Sequence, residues 1–308
     1  MAATGSSLFA SIWAKLGGAR EAEILAAAGS RPAFWPSWTR ITVATPETAG
    51  GHVLTYYAAA DGITIGSSSD FRRVPVSMRT AAELATRNGW TLPTARMVDQ
   101  IHAAATPRAQ LAMPTYAEAR EATGTYQAAH DAIEKQVAAS GAKRGELLSG
   151  HKKDLVLSSR LPAGTKQIYG GRQVAGPSSP IWQGLSYPPA HDLDYVDYSE
   201  QYRPIRRDAE LDGRPVDLHA ILSDPALAGL ISGETPATID AGAILLGIGS
   251  MPAAGSSSSG SSDPAPSVVR SSSSSLAMRA ARALGVLGSV GILGAIAAYL
   301  SARFPVTR

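Results

Sequence analysis

The stretch HDLDYVDYSEQYRPIRRD, from His191 to Asp208, concentrates acidic, aromatic and basic residues in a chain otherwise rich in Ala, Gly and Ser. If residues 193–201 form a β-strand, successive side chains alternate between two faces, and acidic groups fall on both faces. A carboxylate without a partner is costly to bury, so at least one of these acids must be paired, exposed or functional. The nearest cationic partners in the sequence are Arg203, Arg206 and Arg207.

A second polar motif, GHKKDLVL, places His151, Lys153 and Asp154 at the start of a predicted strand. Brought beside His191 and Asp197, this motif would complete a set of two histidines and two aspartates. Such a set suits a general acid–base pair or a site for a hard metal ion. The same residues also suit a structural network of salt bridges and hydrogen bonds, so the motif leaves both interpretations open.

The composition predicts a folded body without special electrostatic or redox chemistry. At 308 residues, 44% of them hydrophobic, the chain can build one large domain or two modest ones. Charged residues make up 17% and the formal net charge is +3, which argues against a nucleic-acid partner. Because cysteine is absent, disulfides, thiolate metal sites and cysteine nucleophiles are excluded.

The order of predicted elements indicates an α+β fold. Short β-prone runs occupy residues 38–76, helical patterns follow between residues 80 and 139, and strand-like runs return after residue 145. We therefore expect small antiparallel sheets flanking a helical middle, plus a C-terminal transmembrane helix. The predicted segments are an N-terminal helical segment (1–30), a small sheet plus helices (31–140), a sheet-rich domain with a polar groove (141–250), a Ser/Gly/Pro-rich disordered linker (251–275), and a transmembrane helix with a short tail (276–308).

The N-terminal segment shows an apolar stripe at helical spacing, which predicts a helix docked on the core. Charged residues interrupt this segment, so we expect no cleavable signal peptide. The stripe consists of Leu8, Phe9, Ile12, Trp13 and Leu16.

Capping signals place the next two helices. Thr80 with Glu83 forms a capping box, Gly89 supplies a stop, and Thr94 is the expected cap of the following helix. Later in the helical middle, we expect His130 to lie on a solvated helix face.

The C-terminal tail carries a strong membrane signal. Residues 283–302 contain no charge, and a helix of this length, at about 1.5 Å per residue, matches the roughly 30 Å hydrocarbon core of a bilayer. We therefore expect a single-pass anchor with the lipid bilayer as a partner. Glycine recurs at every third position of this stretch, which keeps homo-oligomerisation through the helix open. Residues 252–275 are rich in Ser, Gly and Pro and are expected to act as a flexible tether.

The motifs GHKKDLVL, KQIYGG and PIWQGLSYPPAHDLDYVDYS follow one another along the chain. This order resembles an uncharacterised group of bacterial and phage proteins that carry an HKKD stretch, a YGWH strand and a YVDYSHG strand, and the likeness covers residues 20–230. The resemblance implies a hydrolase site. The residues that match the motifs of the group are His151, Asp154, Tyr169, His191, Asp197 and Ser199.

Two histidines of those motifs have no counterpart here. Gly171 and Arg172 stand in place of the Trp-His pair, and Glu200 and Gln201 stand in place of His-Gly. Either Glu200 and Arg172 form an ion pair that replaces the two histidines, or the chain has kept the fold of the group and lost its catalytic activity.

Together these motifs define a candidate polar groove formed by residues 151–154, 169–172 and 191–200. The sequence specifies no cofactor, and we assign no metal ligands. The candidate catalytic residues are His151, Asp154, His191 and Asp197. The candidate binding residues are Lys153, Tyr169, Arg172, Tyr195, Ser199 and Glu200.

Two hypotheses of function follow. In the first, the chain is a membrane-anchored cell-envelope or virion-associated protein with a hydrolase-like groove for cell-wall glycopeptide. The groove either acts on this material or, if it is degenerate, only binds it. In the second, the chain is a non-catalytic structural or membrane-delivery protein that assembles through its glycine-bearing C-terminal helix.

Overall fold

The computed structural model describes residues 3–45, 50–187 and 189–250. The α-helices within these ranges are α1 (Gly5–Ile12), α2 (Gly17–Ala27), α3 (Met78–Asn88), α4 (Ala95–Ala104), α5 (Thr123–Ser140), α6 (Leu218–Ser223) and α7 (Ala241–Ser250). Short 3-10 helices cover Pro107–Ala109 and Ala228–Leu230. The strands are β1 (Trp38–Ala44), β2 (Val53–Ala59), β3 (Thr64–Gly66), β4 (Phe71–Arg73), β5 (Trp90–Thr91), β6 (Lys153–Val156), β7 (Thr165–Arg172), β8 (Ile181–Gln183), β9 (His191–Asp192), β10 (Glu200–Gln201), β11 (Ile205–Arg206), β12 (Asp208–Leu211) and β13 (Arg214–Asp217).

The strands form two larger sheets and one hairpin. A six-stranded sheet has the order β13-β12-β2-β11-β5, with β1 paired to β2. A five-stranded sheet has the order β10-β6-β7-β8, with β9 paired to β7, and β3 pairs with β4. The pairs are antiparallel except for β10 and β6, which run parallel. The α+β class with antiparallel sheets is therefore confirmed.

The six-stranded sheet joins parts of the chain that lie on either side of the helical middle. Ile205 of β11 pairs with Ala58 of β2, and both side chains are fully buried. Burial of apolar side chains favours this long-range pairing, which short-range sequence patterns do not reveal. As a result, the sheets do not simply flank the helices in chain order.

Helix α1 docks on the core as predicted, but the helix is shorter than its apolar stripe. Leu8, Phe9 and Ile12 are buried, whereas Trp13 is 56% and Leu16 is 63% exposed. The helix ends at Ile12, so the last two members of the stripe leave the helical face that contacts the core.

The predicted caps are confirmed at two positions and shifted at one. Thr94 caps α4 by accepting a hydrogen bond from the amide of Met97, and Gly89 ends α3 in the left-handed conformation with φ of 67°. The prediction of Thr80 as the cap of α3 is wrong. Ser77 caps this helix, because its hydroxyl accepts from the amide of Thr80.

Residues 193–199 are not a strand, which corrects the prediction for 193–201. Asp192 Oδ1 accepts hydrogen bonds from the amides of Asp194 and Tyr195, and Asp197 Oδ1 accepts from the amide of Ser199. These bonds to amides two and three residues further on form turns and remove those amides from any strand ladder. Only β9 and β10, at the two ends of the stretch, pair with other strands.

The prediction of a solvated His130 is wrong as well. His130 is 4% exposed, its Nδ1 accepts a hydrogen bond from the amide of Arg73, and its ring packs edge-on against Phe71. Burial, together with the charge of Arg73, lowers the pKa of His130 to about 3. The side chain is therefore a neutral member of the core.

The predicted membrane anchor and tether lie at residues 251–308, outside the described residues. Among the residues that the structure does describe, no helix is both long and apolar enough to cross a membrane.

Candidate functional site

The five-stranded sheet brings the three candidate segments together. Strand β6 pairs with β7 through Asp154 and Tyr169, and with β10 through Lys153 and Glu200. Strand β9 joins the other edge of β7 through His191. The residues of the predicted groove are therefore neighbours in the fold.

The same sheet also divides these residues between its two faces. Residues opposite each other in a ladder point to the same face, so Lys153 and Glu200 share one face while Asp154, Tyr169 and Gln201 share the other. His191 and Asp197 lie with the first group, because their neighbour Lys166 contacts Glu200. Asp154 is thus separated from Asp197 and His191 by the sheet itself.

On the first face, Asp197 is buried and held on both oxygens. Its side chain is 2% exposed, and Oδ2 accepts from Arg120 Nε at 3.1 Å and Nη2 at 2.8 Å. Oδ1 accepts from the amide of Ser199 at 2.7 Å and from the hydroxyl of the same serine. Burial acts to raise the pKa of Asp197, but the charge of Lys153 and these hydrogen bonds outweigh it and hold the pKa below its usual value.

Glu200 and Lys166 form a fully buried ion pair next to Asp197. Lys166 also donates to the carbonyl of Tyr195, and Glu200 Oε1 has no hydrogen-bond partner among the described residues. Burial raises the pKa of Glu200 despite the charge of Lys166. The alternative pairing of Glu200 with Arg172, which the sequence suggested, is not formed.

The rim of this face is aromatic and partly exposed. His191 stacks on Tyr195 with ring centroids 4.0 Å apart and an interplanar angle of 6°. Tyr195 in turn donates to Asp197 Oδ2 at 3.4 Å. Lys153 Nζ donates to Gln183 Oε1 at 3.1 Å.

Trp182 lies near Lys153 and is 48% exposed. A Cβ atom placed on Gly171 would lie 3.2 Å from Lys153 Cγ and 3.3 Å from Trp182 Cβ, so these two side chains start close together. We name this surface the Asp197 face. It comprises Arg120, Lys153, Trp182, Gln183, His191, Tyr195 and Asp197.

On the opposite face, Asp154 is enclosed in protein. It is 4% exposed, and Oδ1 accepts from Gln201 Nε2 at 3.0 Å and lies 3.5 Å from Arg203 Nε. Burial raises the pKa of Asp154 to about 6, although Arg203 acts in the other direction. The adjoining cavity measures about 10 Å³, room for roughly one water molecule, so no substrate reaches this carboxyl group.

His151 belongs to a separate buried network. Its ring is fully buried, and Nε2 lies 3.0 Å from Asp61 Oδ1. Asp61 Oδ2 accepts from Arg73 Nε at 2.6 Å, and Arg73 Nη1 contacts Glu134 at 2.8 Å. Burial lowers the pKa of His151, and because a carboxylate can only accept, the neutral ring must carry its proton on Nε2.

The last two candidate residues, Tyr169 and Arg172, both donate hydrogen bonds to the carboxylate of Asp99. Asp99 Oδ2 accepts from the hydroxyl of Tyr169 at 2.8 Å, and Asp99 Oδ1 accepts from Arg172 Nη2 at 2.9 Å. Burial, together with the hydrogen bond and charge of Asp99, raises the pKa of Tyr169 to about 12. Asp99 and Tyr169 line the edge of a cavity that does not include the Asp197 face.

Several residues of these networks were not identified from the sequence, namely Asp61, Asp99, Arg120 and Lys166. Each lies far along the chain from its partner; Arg120, for example, is 77 residues from Asp197. A signal was present for Asp61, which lies within the apolar run that follows β2. An acid in such a run is costly to bury unless it is paired.

The described residues contain no group of three or more His, Cys, Asp or Glu side chains that could hold a metal ion. No protein-family model, curated protein or solved structure matches the chain.

Proposed function

We propose that this chain is a cell-envelope or virion-associated module that binds cell-wall glycopeptide through the Asp197 face and does not cleave it. In this proposal residues 276–308, outside the described residues, hold the module at a membrane.

The observation that supports binding over hydrolysis is the engagement of Asp197. A general base must reach the proton that it removes, within hydrogen-bond distance or through one water. Asp197 is 2% exposed, and both oxygens already accept hydrogen bonds from Arg120 and Ser199. Of the other candidates for proton transfer, His151 and Asp154 are buried away from this face. His191 lies on this face and is partly exposed, and its ring stacks on Tyr195.

The exposed part of the Asp197 face suits a ligand with flat apolar surfaces and negative charge. Trp182 and the stacked His191–Tyr195 pair offer aromatic surface with polar edges, as is typical of ligand sites that need both contact area and orientation. Arg120 supplies a cationic donor and keeps 39% of its side chain exposed, whereas Lys153 is buried beneath the rim and donates to Gln183. Cell-wall glycopeptide presents sugar faces and carboxylates together.

A co-sedimentation assay tests the proposal. We expect the full-length chain, in mild detergent, to be retained by purified cell wall, and Trp182→Ala to weaken retention by about tenfold, or about 1.4 kcal/mol. Trp13→Ala is the matched control, since Trp13 is also exposed but directly follows α1, outside the Asp197 face. Equal retention of the wild type and Trp182→Ala would contradict the role of this face.

The same assay separates the two hypotheses of function. If the wild-type chain is not retained by cell wall but crosslinks to itself in liposomes, the structural or membrane-delivery role replaces the one proposed here.

A further inference from the structure

A second cavity lies on the side of the five-stranded sheet opposite the Asp197 face. It measures about 250 Å³ and is formed by the first turn of α4, the residue after β6, the middle of β7, the segment after β8, and the loop that follows the second 3-10 helix. This volume lies just below the range of about 300–1,000 Å³ that is usual for small-molecule sites. This volume suits a small molecule rather than a polymer chain.

The rim of the cavity carries one cation without a carboxylate partner. Arg96 is exposed and donates from Nη1 to the carbonyl of Gly229 at 2.6 Å. In the described part of the chain, no carboxylate lies within salt-bridge distance of Arg96, although most of the arginines there have such a partner. Its remaining N–H groups are therefore free to meet an anion at the rim.

Two carboxylates complete the rim, and protein groups hold both in place. Asp99 is held by Tyr169 and Arg172 at 2.8 and 2.9 Å. Glu234 accepts from the amide and hydroxyl of Ser159, at 2.8 and 2.6 Å. A carboxylate can accept about four hydrogen bonds, so each keeps the capacity to bind a further donor.

About half of the cavity lining is apolar. Leu157, which is 1% exposed, and the half-buried Leu185 line it together with the ring of Tyr169. Burial of apolar surface against these side chains would favour a ligand with an aliphatic part.

We infer that this cavity binds a free α-amino acid with an aliphatic side chain. The ligand carboxylate is bound by Arg96, its ammonium group by Asp99 and Glu234, and its side chain lies against Leu157 and Leu185. This site is independent of the Asp197 face, so failure of one proposal leaves the other untouched.

Calorimetric titration of the full-length chain with leucine, N-acetyl-leucine and leucinamide tests the inference. We expect saturable binding of leucine and much weaker binding of both blocked compounds, because each lacks one of the two charges. Arg96→Gln should weaken leucine binding at least about tenfold, as expected for the loss of a hydrogen bond to a charged group. Arg87→Gln is the matched control, because Arg87 is an exposed arginine on α3 that pairs with Glu83.

Three outcomes would overturn the inference. These are the absence of leucine binding, equal binding of leucine and N-acetyl-leucine, which would indicate a peptide carboxyl end, and unchanged leucine affinity in Arg96→Gln. Because Arg96 is exposed, this substitution should leave the fold intact, and an unchanged free energy of unfolding provides a check that the rest of the molecule is unaffected.

Discussion

At Asp61, two side chains converge on one buried carboxylate. Arg73 Nε donates to Oδ2 at 2.6 Å, His151 Nε2 lies 3.0 Å from Oδ1, and the amide of Gly62 donates to the same oxygen at 2.8 Å. Burial opposes ionisation, but Arg73 and then His151 outweigh it, so the pKa of Asp61 lies well below its usual value. The ionised Asp61 therefore stabilises the fold above the pKa of an exposed aspartate and ceases to do so in strong acid.

Asp61→Asn should be strongly destabilising. Removing one partner of a buried ion pair leaves the other charge unpaired, which costs roughly 3–5 kcal/mol. The free energy of unfolding from denaturant titration measures this change. Asp208→Asn is the control, because Asp208 pairs with Arg206 at the surface with 65% of its side chain exposed, and its loss should cost less than about 1 kcal/mol. Similar costs for the two variants would contradict the structural role of Asp61.

Lys152 makes the stability dependent on pH. Burial lowers the pKa of Lys152 to about 7, from 10.5 in an exposed lysine, although Asp197 acts in the other direction. Between these values the unfolded chain binds more protons, so the free energy of unfolding should rise with pH by up to about 1.4 kcal/mol per pH unit.

Lys152→Met should remove most of this rise, since methionine has similar length and no charge. Denaturant titrations at a series of pH values between 7 and 10 measure the free energy of unfolding and its rise with pH. The pKa of Lys153 is also lowered by burial, so a smaller rise should persist in the variant. A wild-type stability that is constant or falls with pH over this range would show that Lys152 is not buried as described.

Sequence reasoning at the residue scale predicted the need for pairing but not the partners. An acid in residues 193–201 was expected to be paired, exposed or functional, and Asp197 and Glu200 are both paired. The suggested arginines, 203, 206 and 207, pair instead with Asp154, Asp208 and Asp217. Arg120 and Lys166 reach the two acids because the fold brings distant segments together, and no local pattern encodes that.

At the scale of elements, Gly150 fixes the start of the segment that carries His151. Its φ is 83°, and a Cβ atom there would lie 2.2 Å from the carbonyl oxygen of Leu111 and 2.9 Å from Arg172 Cγ. The backbone of this segment therefore passes too close to its neighbours for any side chain.

Gly150→Ala should cost roughly 1–2 kcal/mol for the left-handed conformation and roughly 1–3 kcal/mol more for the clash. Gly141 has a φ of 72°, and nothing lies within 4 Å of a Cβ atom added there. Gly141→Ala should therefore show only the cost of the left-handed conformation. Thermal unfolding of both variants measures the difference. Equal loss of stability would mean that the close contact with Leu111 is absent.

Secondary structure was predictable where a local interaction decides it. Thr94 caps the start of α4 and Gly89 ends α3, as the sequence indicated, because capping depends on a few adjacent residues. The strand over 193–199 was predicted wrongly, because a run rich in Tyr and Val resembles a strand even where Asp192 and Asp197 accept hydrogen bonds from amides two and three residues ahead.

At the scale of the whole molecule, the division of the sheet into two faces explains why the candidate residues do not form one site. The sequence suggested that the HKKD segment lies beside the stretch from His191 to Glu200, and in the structure Lys153 pairs with Glu200. It could not indicate that Asp154 and Asp197 would lie on opposite faces, since that depends on strand register.

Membrane attachment is expected to depend on the tail. The full-length chain should enter the detergent phase on phase partitioning, and a chain ending at Ser250 should remain in the aqueous phase, because residues 283–302 are uncharged and apolar. Far-ultraviolet circular dichroism of the shortened chain provides the control for folding. Aqueous partitioning of the full-length chain would contradict the proposed location.

The central claim is that the Asp197 face binds cell-wall glycopeptide without cleaving it. The most direct measurement incubates the full-length chain with purified cell wall, with and without divalent metal ions, and quantifies both the retained protein and the soluble wall fragments. We expect retention that Trp182→Ala weakens, and no fragments above the protein-free control. Release of fragments by the wild type that is abolished in Asp197→Asn would contradict the claim and make Asp197 a catalytic residue.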